Sequence, residues 1–253
     1  MEITVITFGL IILLAILMEA IDSSIGMMYG TVLSPFLIAV GFSPVDVVPA
    51  LLLSQATGGV IASFKHHELK NASFSWGSKD LKVAFTIFSL GVVAVVVGAC
   101  IGVEIDKQIL SLYIAILMLT MGVIVFLGLR LKFRWRNIFL IGLVSSFNKA
   151  LSGGGFGPIV TSGQLISGRN SRRSVGATTM SEVEICLASY IAWIVVGNRI
   201  PSLKLTIALC IGAVIGGYIG PHVLKRIGNN LILVKIVGAM AILSGAFAIY
   251  KLI

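Results

Sequence analysis

A glycine-rich segment at 152–158 contains the residue types of this 253-residue chain that are best suited to binding chemistry. Its glycines leave backbone N–H groups unobstructed, and a helix expected to begin near Pro158 would direct its positive end toward them. Such groups suit the oxygens of a sulfonate, sulfite or carboxylate. The alternative is that the glycines only let two helices approach closely. The expected substrate-binding residues here are Ser152, Gly153, Gly154, Gly155 and Phe156.

A related segment at 23–30 lies 127 positions earlier in the chain. Its Ser23, Ser24 and Gly26 are also expected to bind substrate. Backbone that is not hydrogen-bonded within a helix is tolerated at membrane depth only inside protein or beside water. Two such interruptions at corresponding places in the halves of a membrane protein mark the binding site of a transporter. Aligned without gaps, the segments match Gly26 with Gly153, Tyr29 with Phe156 and Gly30 with Gly157.

Lys149 is a basic residue within an interrupted apolar segment. A charge at membrane depth is costly and is usually functional. We expect Lys149 to attract the anion, or to pair with an acid between transport cycles. Two alternatives remain, in which Lys149 snorkels to the interface or forms a fixed ion pair with Glu19 or Asp22.

Three acidic residues, Glu19, Asp22 and Glu182, are expected to couple anion movement to protons, because an intramembrane carboxyl group can exchange a proton as its surroundings change. Glu182 aligns with Gln55 at the same offset of 127, and Gln55 is expected to bind substrate. The alternative for Glu182 is a pair with a neighbouring arginine that stabilises the start of a helix. For Glu184 a structural role of that kind is expected.

No metal, cofactor or enzyme activity is expected from this sequence. His66, His67 and Glu68 are close together, but a solvated basic loop explains them better than a metal site. The three cysteines lack CxxC spacing and are expected to be small apolar core residues. The chain contains neither an HExxH motif nor a recognisable Ser/His/Asp set.

The composition indicates what kind of protein must position these residues. The chain is 57% hydrophobic and 11% charged, whereas soluble domains carry about a quarter charged residues. The net charge of +9 does not indicate a nucleic-acid partner, because the basic residues lie mostly between apolar segments and act as topology signals. We therefore predict an all-α polytopic protein of the cell inner membrane or plasma membrane.

The apolar pattern predicts six complete membrane spans, each close to the length of about 20 residues that crosses a bilayer. Two further apolar regions, 3–40 and 137–167, are interrupted and are predicted to be broken helices or re-entrant hairpins. The loop 65–82 is predicted to lie on the headgroups. The predicted complete spans are 47–64, 83–103, 109–129, 174–196, 203–224 and 231–252.

The distribution of positive charge predicts the topology. If each broken region returns to its own side, 13 loop lysines and arginines fall on one side and 4 on the other, and the positive-inside rule favours this arrangement. Each half, 1–130 and 131–253, then has one broken helix or hairpin plus three spans. Because three is odd, the second half is inverted relative to the first, within one membrane domain. Inverted repeats of transporters place the substrate near the midplane.

Several of these motifs resemble the TauE/SafE sulfite exporter family of anion transporters. The second half contains SGGGFGPIV at 152–160 and SVGATT at 174–179, and the first half contains GFSPV at 41–45 and VPALLLSQ at 48–55. The resemblance runs through both halves. One departure is that Met27 and Met28 stand where many members carry more glycines.

The resemblance implies export or uptake of small sulfur-containing anions, such as C2 organosulfonates or sulfite. The expected partners are therefore a small anion and membrane lipid, with a homodimer left open. Two alternative functions also remain open. One is a passive anion channel that uses the break as a filter, and the other is a non-transporting scaffold subunit of a membrane complex.

Overall fold

In a computed structural model of the chain, the structure describes residues 4–127, 136–166, 169–227, 235, 239, 242–243 and 245–250. Between residues 4 and 227 the described residues form nine helices and no strand. The prediction of an all-α membrane protein is confirmed. The helices are α1 (Val5–Ile25), α2 (Tyr29–Ala39), α3 (Pro44–Glu68), α4 (Lys79–Glu104), α5 (Lys107–Leu127), α6 (Arg136–Ser152), α7 (Phe156–Ile166), α8 (Ser171–Gly197) and α9 (Leu203–Ile227).

Six helices of the described chain are long and apolar enough to cross a membrane: α1, α3, α4, α5, α8 and α9. Five of them contain predicted spans, although the predicted end of the third, at 128–129, lies outside the described residues. The sixth is α1, the first arm of the broken region 3–40, which at 21 residues is longer than a half-span. Most of the predicted span at 231–252 lies outside the described residues.

Local signals in the sequence account for several helix ends. Pro44 is at the start of α3, where its missing N–H costs nothing. The Asn170 side chain caps α8 by accepting a hydrogen bond from the Arg172 N–H. Gly41 follows α2 with a φ of 105°, as expected of a glycine after a helix. Its counterpart in the second half, Gly168, lies outside the described residues.

The helix bounds in the two halves coincide at the offset of 127. Adding 127 to the bounds of α2 gives the bounds of α7. The last residues of α1 and α6 also differ by 127, and so do the first residues of α3 and α8. Gly26 and Gly153, which follow α1 and α6, have left-handed φ values of 78° and 75°. This conformation strongly favours glycine and ends both helices in the same way.

Glycine stripes join helices from different halves. On α9, Gly212, Gly216 and Gly220 pack in turn against Ala15, Glu19 and Ser23 of α1, so the two helices run in the same direction. On α4, Gly91, Gly98 and Gly102 pack in turn against Ser146, Ala150 and Leu151 of α6, also in parallel. Small residues at such contacts let membrane helices approach closely, which is how they gain packing energy in lipid.

The corresponding helices α3 and α8 run in opposite directions. Gly59 of α3 contacts Val183 of α8, whereas the later residue His66 contacts the earlier residue Gly176. At one end of the bundle Arg169 forms an ion pair with Asp80, and at the other end Arg199 pairs with Asp46 at 3.1 Å. Each pair joins a residue between helices to the first turn of a helix that is distant in sequence.

Candidate functional site

The two breaks cross each other in the interior of the bundle. A Cβ on Gly30 would overlap the carbonyl oxygen of Gly153, and a Cβ on Gly157 would overlap that of Gly26. Because Gly26 aligns with Gly153 and Gly30 with Gly157, these are the same contact made twice with the halves exchanged. A two-fold axis produces such reciprocal contacts. We call residues 26–30 and 153–157 the crossing.

Hydroxyl groups brace the crossing from both halves. Ser34 of α2 donates to the Ser152 carbonyl at 2.7 Å, and Thr161 of α7 donates to the Gly26 carbonyl at 2.9 Å. Ser34 and Thr161 are again 127 positions apart. Both bonds satisfy a carbonyl left without a helical partner at the end of α1 or α6. Neither hydroxyl was singled out from the sequence, although the alignment places them at equivalent positions.

A buried polar network lies next to the crossing and centres on Lys149. Its ammonium group donates to Glu182 Oε1 at 2.6 Å and to Gln55 Oε1. The Gln55 amide donates in turn to Asp22 Oδ2 at 3.3 Å, and Asp22 Oδ1 accepts from the Tyr29 N–H at 3.1 Å. Lys149 is 1% exposed and is the one lysine or arginine that the described residues bury. The network therefore joins predicted site residues from α1, α3, α6 and α8.

These four side chains occupy two pairs of equivalent positions in the halves. Gln55 corresponds to Glu182, and Asp22 corresponds to Lys149. The alternative in which Lys149 pairs directly with Glu19 or Asp22 is wrong, because Glu182 is its ion-pair partner and Asp22 is reached through Gln55. The arginine alternative for Glu182 is wrong for the same reason. Burial does not explain the choice, because all three acids are buried; the packing of α8 against α6 places Glu182 at the ammonium group.

Other predicted residues of the first break make contacts away from the Lys149 ammonium. Ser23 donates to Glu19 Oε1 at 2.9 Å, and the second oxygen of Glu19 is buried without a hydrogen bond. Ser24 donates to the Ala20 carbonyl and, at 3.0 Å, to the Gly220 carbonyl of α9. The Ser24 hydroxyl therefore joins two helices, and the Ser23 hydroxyl serves the Glu19 carboxyl.

The second break has both occupied and unoccupied N–H groups. The Gly153 N–H donates to the Lys149 carbonyl at 2.9 Å, and the Gly154 N–H donates to Ser152 Oγ at 3.2 Å. The N–H groups of Gly155 and Phe156, where α7 begins, form no hydrogen bond with a described residue. The Phe156 ring is fully buried among apolar side chains such as Ile185. The N–H groups available to a ligand at this break are therefore those of Gly155 and Phe156.

The prediction of a solvated loop at 65–82 is wrong for its first residues. Helix α3 continues to Glu68, and the His66 side chain is completely buried. His67 and Glu68 are exposed, as predicted. Burial follows from close packing, because Gly176 of α8 leaves room for the His66 ring. Among the described residues no group of histidine, cysteine, aspartate and glutamate could hold a metal ion.

The chain is similar in sequence to known membrane proteins. The family model "Sulfite exporter TauE/SafE" matches residues 11–248. A curated relative, "Probable membrane transporter protein YtnM" of Bacillus subtilis (strain 168), is 22% identical over 188 residues, which are 70% of this chain and 60% of that protein. No solved structure matches the chain. The match over nearly the whole length shows that this multi-pass membrane protein belongs to the TauE/SafE sulfite exporter family.

Proposed function

We propose that this transporter is a secondary carrier for small sulfur-containing anions, such as C2 organosulfonates or sulfite, and that it binds them at the crossing beside Lys149. The observation that supports the proposal is that the one buried ammonium group of the described chain lies next to two broken helices whose backbones meet. Lys149 provides the charge that an anion requires, and the N–H groups of Gly155 and Phe156 provide uncharged donors.

The ion pair between Lys149 and Glu182 is the resting arrangement in this proposal. Both side chains are buried, so neither tolerates the loss of its partner without a replacement. An arriving anion replaces Glu182 at the ammonium group, and Glu182 then requires a proton. Release of the anion restores the pair. Charge balance at the site thus links anion binding to protonation of a carboxyl group.

We further propose that 1–130 and 131–253 are inverted repeats. The antiparallel directions of α3 and α8 support this, as do the helix bounds that coincide at an offset of 127. In this arrangement hairpins formed by α1–α2 and α6–α7 enter from opposite faces, and their tips form the crossing. The site then lies near the midplane, where alternating access requires it.

A counterflow experiment tests the transport proposal. Purified protein in liposomes loaded with unlabelled isethionate or sulfite should accumulate the same labelled anion from outside, and the Lys149→Met variant should accumulate at least tenfold less because it lacks the ammonium group. Lys204→Met, which removes an exposed lysine, is the matched control and should behave as wild type. Conductive flux without counterflow would indicate a channel. Failure of wild-type protein to bind or move either anion would contradict the proposal.

Cysteine labelling tests the inverted arrangement. In a background without the three native cysteines, Val45→Cys in the first turn of α3 and Arg173→Cys in the corresponding first turn of α8 should react from opposite faces of the membrane. Val45 is partly exposed and Arg173 is exposed, so both positions admit a reagent. Labelling of both cysteines from the same face by a membrane-impermeant maleimide would rule out inversion.

A further inference from the structure

We propose that His66 relays protons between the end of the bundle that carries Lys70 and Arg173 and the buried carboxyl groups near the crossing. This inference rests on the proposed anion transport and identifies protons as the coupling ion. Its basis is a line of buried polar groups that begins at Asn71, passes His66 and the Ser23 backbone, and ends at Glu19.

His66 lies where the bundle interior meets one end of the molecule. It is in the last turn of α3, beside the exposed residues His67, Glu68 and Lys70. Its own ring is fully buried and packs against Gly176 of α8, and the Ser23 backbone of α1 lies next to it. His66 therefore lies between the exposed residues at this end of the bundle and the buried interior.

Two polar atoms at and beside the His66 ring have no hydrogen-bond partner among the described residues. The Asn71 amide donates to His66 Nδ1 at 3.2 Å and to the Pro221 carbonyl at 3.0 Å. With Nδ1 accepting, the neutral ring carries its proton on Nε2. His66 Nε2 and Asn71 Oδ1 are then a buried donor and a buried acceptor without hydrogen bonds, as is the hydroxyl of Ser63 one turn earlier on α3. Buried polar atoms without protein partners are where ordered water binds.

The same pattern continues toward the crossing on α1. Ser23 donates to one oxygen of Glu19, and the other oxygen is buried without a hydrogen bond. Ser23 and Glu19 are one helical turn apart on α1, and Glu19 lies farther than Ser23 from the end of the bundle that carries His66. A line of incompletely bonded groups thus runs from the end of α3 to the first carboxyl group.

The charges of the interior require such a route. Glu19, Asp22 and Glu182 are buried with a single ammonium group, that of Lys149. Only Glu182 pairs with it directly. A bound anion makes the net charge of these buried groups more negative still, and uncompensated charge at membrane depth is very costly. The carboxyl groups must therefore gain protons when the anion binds and lose them when it leaves.

The relay transfers one proton per step, with all atoms conserved. A proton from solvent binds His66 Nδ1, while the Asn71 amide turns over, gives up its hydrogen bond to the Pro221 carbonyl and accepts from Nδ1 through Oδ1. The ring, protonated at both nitrogens, passes the Nε2 proton through water to the free oxygen of Glu19. His66 is left neutral with its proton on Nδ1; transfer of that proton to Nε2 through the bound water, with the amide turning back, restores the first arrangement. The Asn71 side chain can turn over in its place because its amide oxygen and NH2 group are of nearly equal size.

Neighbouring elements place several other ionisable groups near His66. Glu68 lies on its own helix with Lys65, His222 is on α9, and Arg172 and Arg173 begin α8. On the interior side, Glu19 of α1 is the nearest acid along the line described above. The cationic groups at the surface disfavour a lasting positive charge on the His66 ring, and the Glu19 carboxylate favours transfer of the proton inward.

The experiment uses full-length protein in liposomes that contain a pH-sensitive dye, with isethionate as the probe. A sulfonate stays ionised at any physiological pH, so a change in luminal pH reports protons carried by the protein. Wild type should acidify the lumen when isethionate is added outside. His66→Gln should lose at least 90% of this proton movement, while its isethionate counterflow at equal pH stays within about threefold of wild type. The matched control is His67→Gln, which alters the exposed neighbour and should leave both properties unchanged.

A second variant covers the case in which His66→Gln does not fold. Glu19→Gln keeps the size of the side chain and an acceptor for Ser23, and it should show the same loss of proton movement with counterflow retained. Proton movement at the wild-type rate in either folded variant would overturn the relay, as would wild-type counterflow without any pH change. Absence of wild-type counterflow would instead contradict the anion-transport proposal itself.

Discussion

The Lys149→Met variant is expected to be about 3–5 kcal/mol less stable than wild type, because the substitution leaves Glu182 buried without its partner. Gln55 also loses the group that its side-chain oxygen accepts from. The effect should be visible as a large drop in the thermal unfolding temperature of the protein in detergent. Lys204→Met, at an exposed position, should unfold at the wild-type temperature.

The double variant Lys149→Met/Glu182→Gln separates stability from binding. Removing the second charge of a buried pair relieves the penalty of the first removal, so most of the lost stability should return. Anion binding should not return, because the ammonium group is still absent. A double variant that is no more stable than Lys149→Met would mean that Glu182 is not the principal partner of Lys149.

The Gly30→Ala variant is expected to lose about 3 kcal/mol of stability or more. Its Cβ would overlap the Gly153 carbonyl, and backbone cannot move aside as the end of a flexible side chain can. Gly157→Ala should have a similar effect, since its Cβ would overlap the Gly26 carbonyl in the reciprocal contact. Thermal unfolding in detergent, together with the yield of monodisperse protein, measures both effects.

Gly9→Ala is the control for these two variants. Gly9 lies within α1, and no atom lies within 4 Å of the place that its Cβ would occupy. Alanine is a better helix former than glycine by about 1 kcal/mol, so Gly9→Ala should be neutral or slightly stabilising. If Gly30→Ala were as stable as Gly9→Ala, the two breaks would not cross as described.

The sequence predicts most of the fold because its strongest signals are local. Long apolar runs determine where α3, α4, α8 and α9 lie, and glycines determine where α1 and α6 end. The length of α1 was harder to predict. The polar residues within 3–40 do not end α1, which continues to Ile25, because Glu19, Ser23 and Ser24 pack against α9 and Asp22 bonds with Gln55.

The sequence singled out the four members of the network around Lys149 but not the contacts between them. The offset of 127 also aligns Asp22 with Lys149, so the repeat itself relates these two members of the network. Which acid Lys149 contacts depends on how α8 packs against α6, and that is a tertiary property. For His66 the basic neighbours suggested solvent, whereas the packing of Gly176 against its ring buries it.

The affinity of purified protein for isethionate, compared between Glu182→Gln and Lys149→Met, tests the central claim most directly. If the anion replaces Glu182 at the ammonium group, the two substitutions must change affinity in opposite directions. Glu182→Gln frees Lys149 from its competitor and should lower Kd by about tenfold, which corresponds to about 1.4 kcal/mol. Lys149→Met should raise Kd by tenfold or more, since a charge-assisted bond is lost. A weaker affinity in both folded variants, or an unchanged one, would contradict anion binding at Lys149.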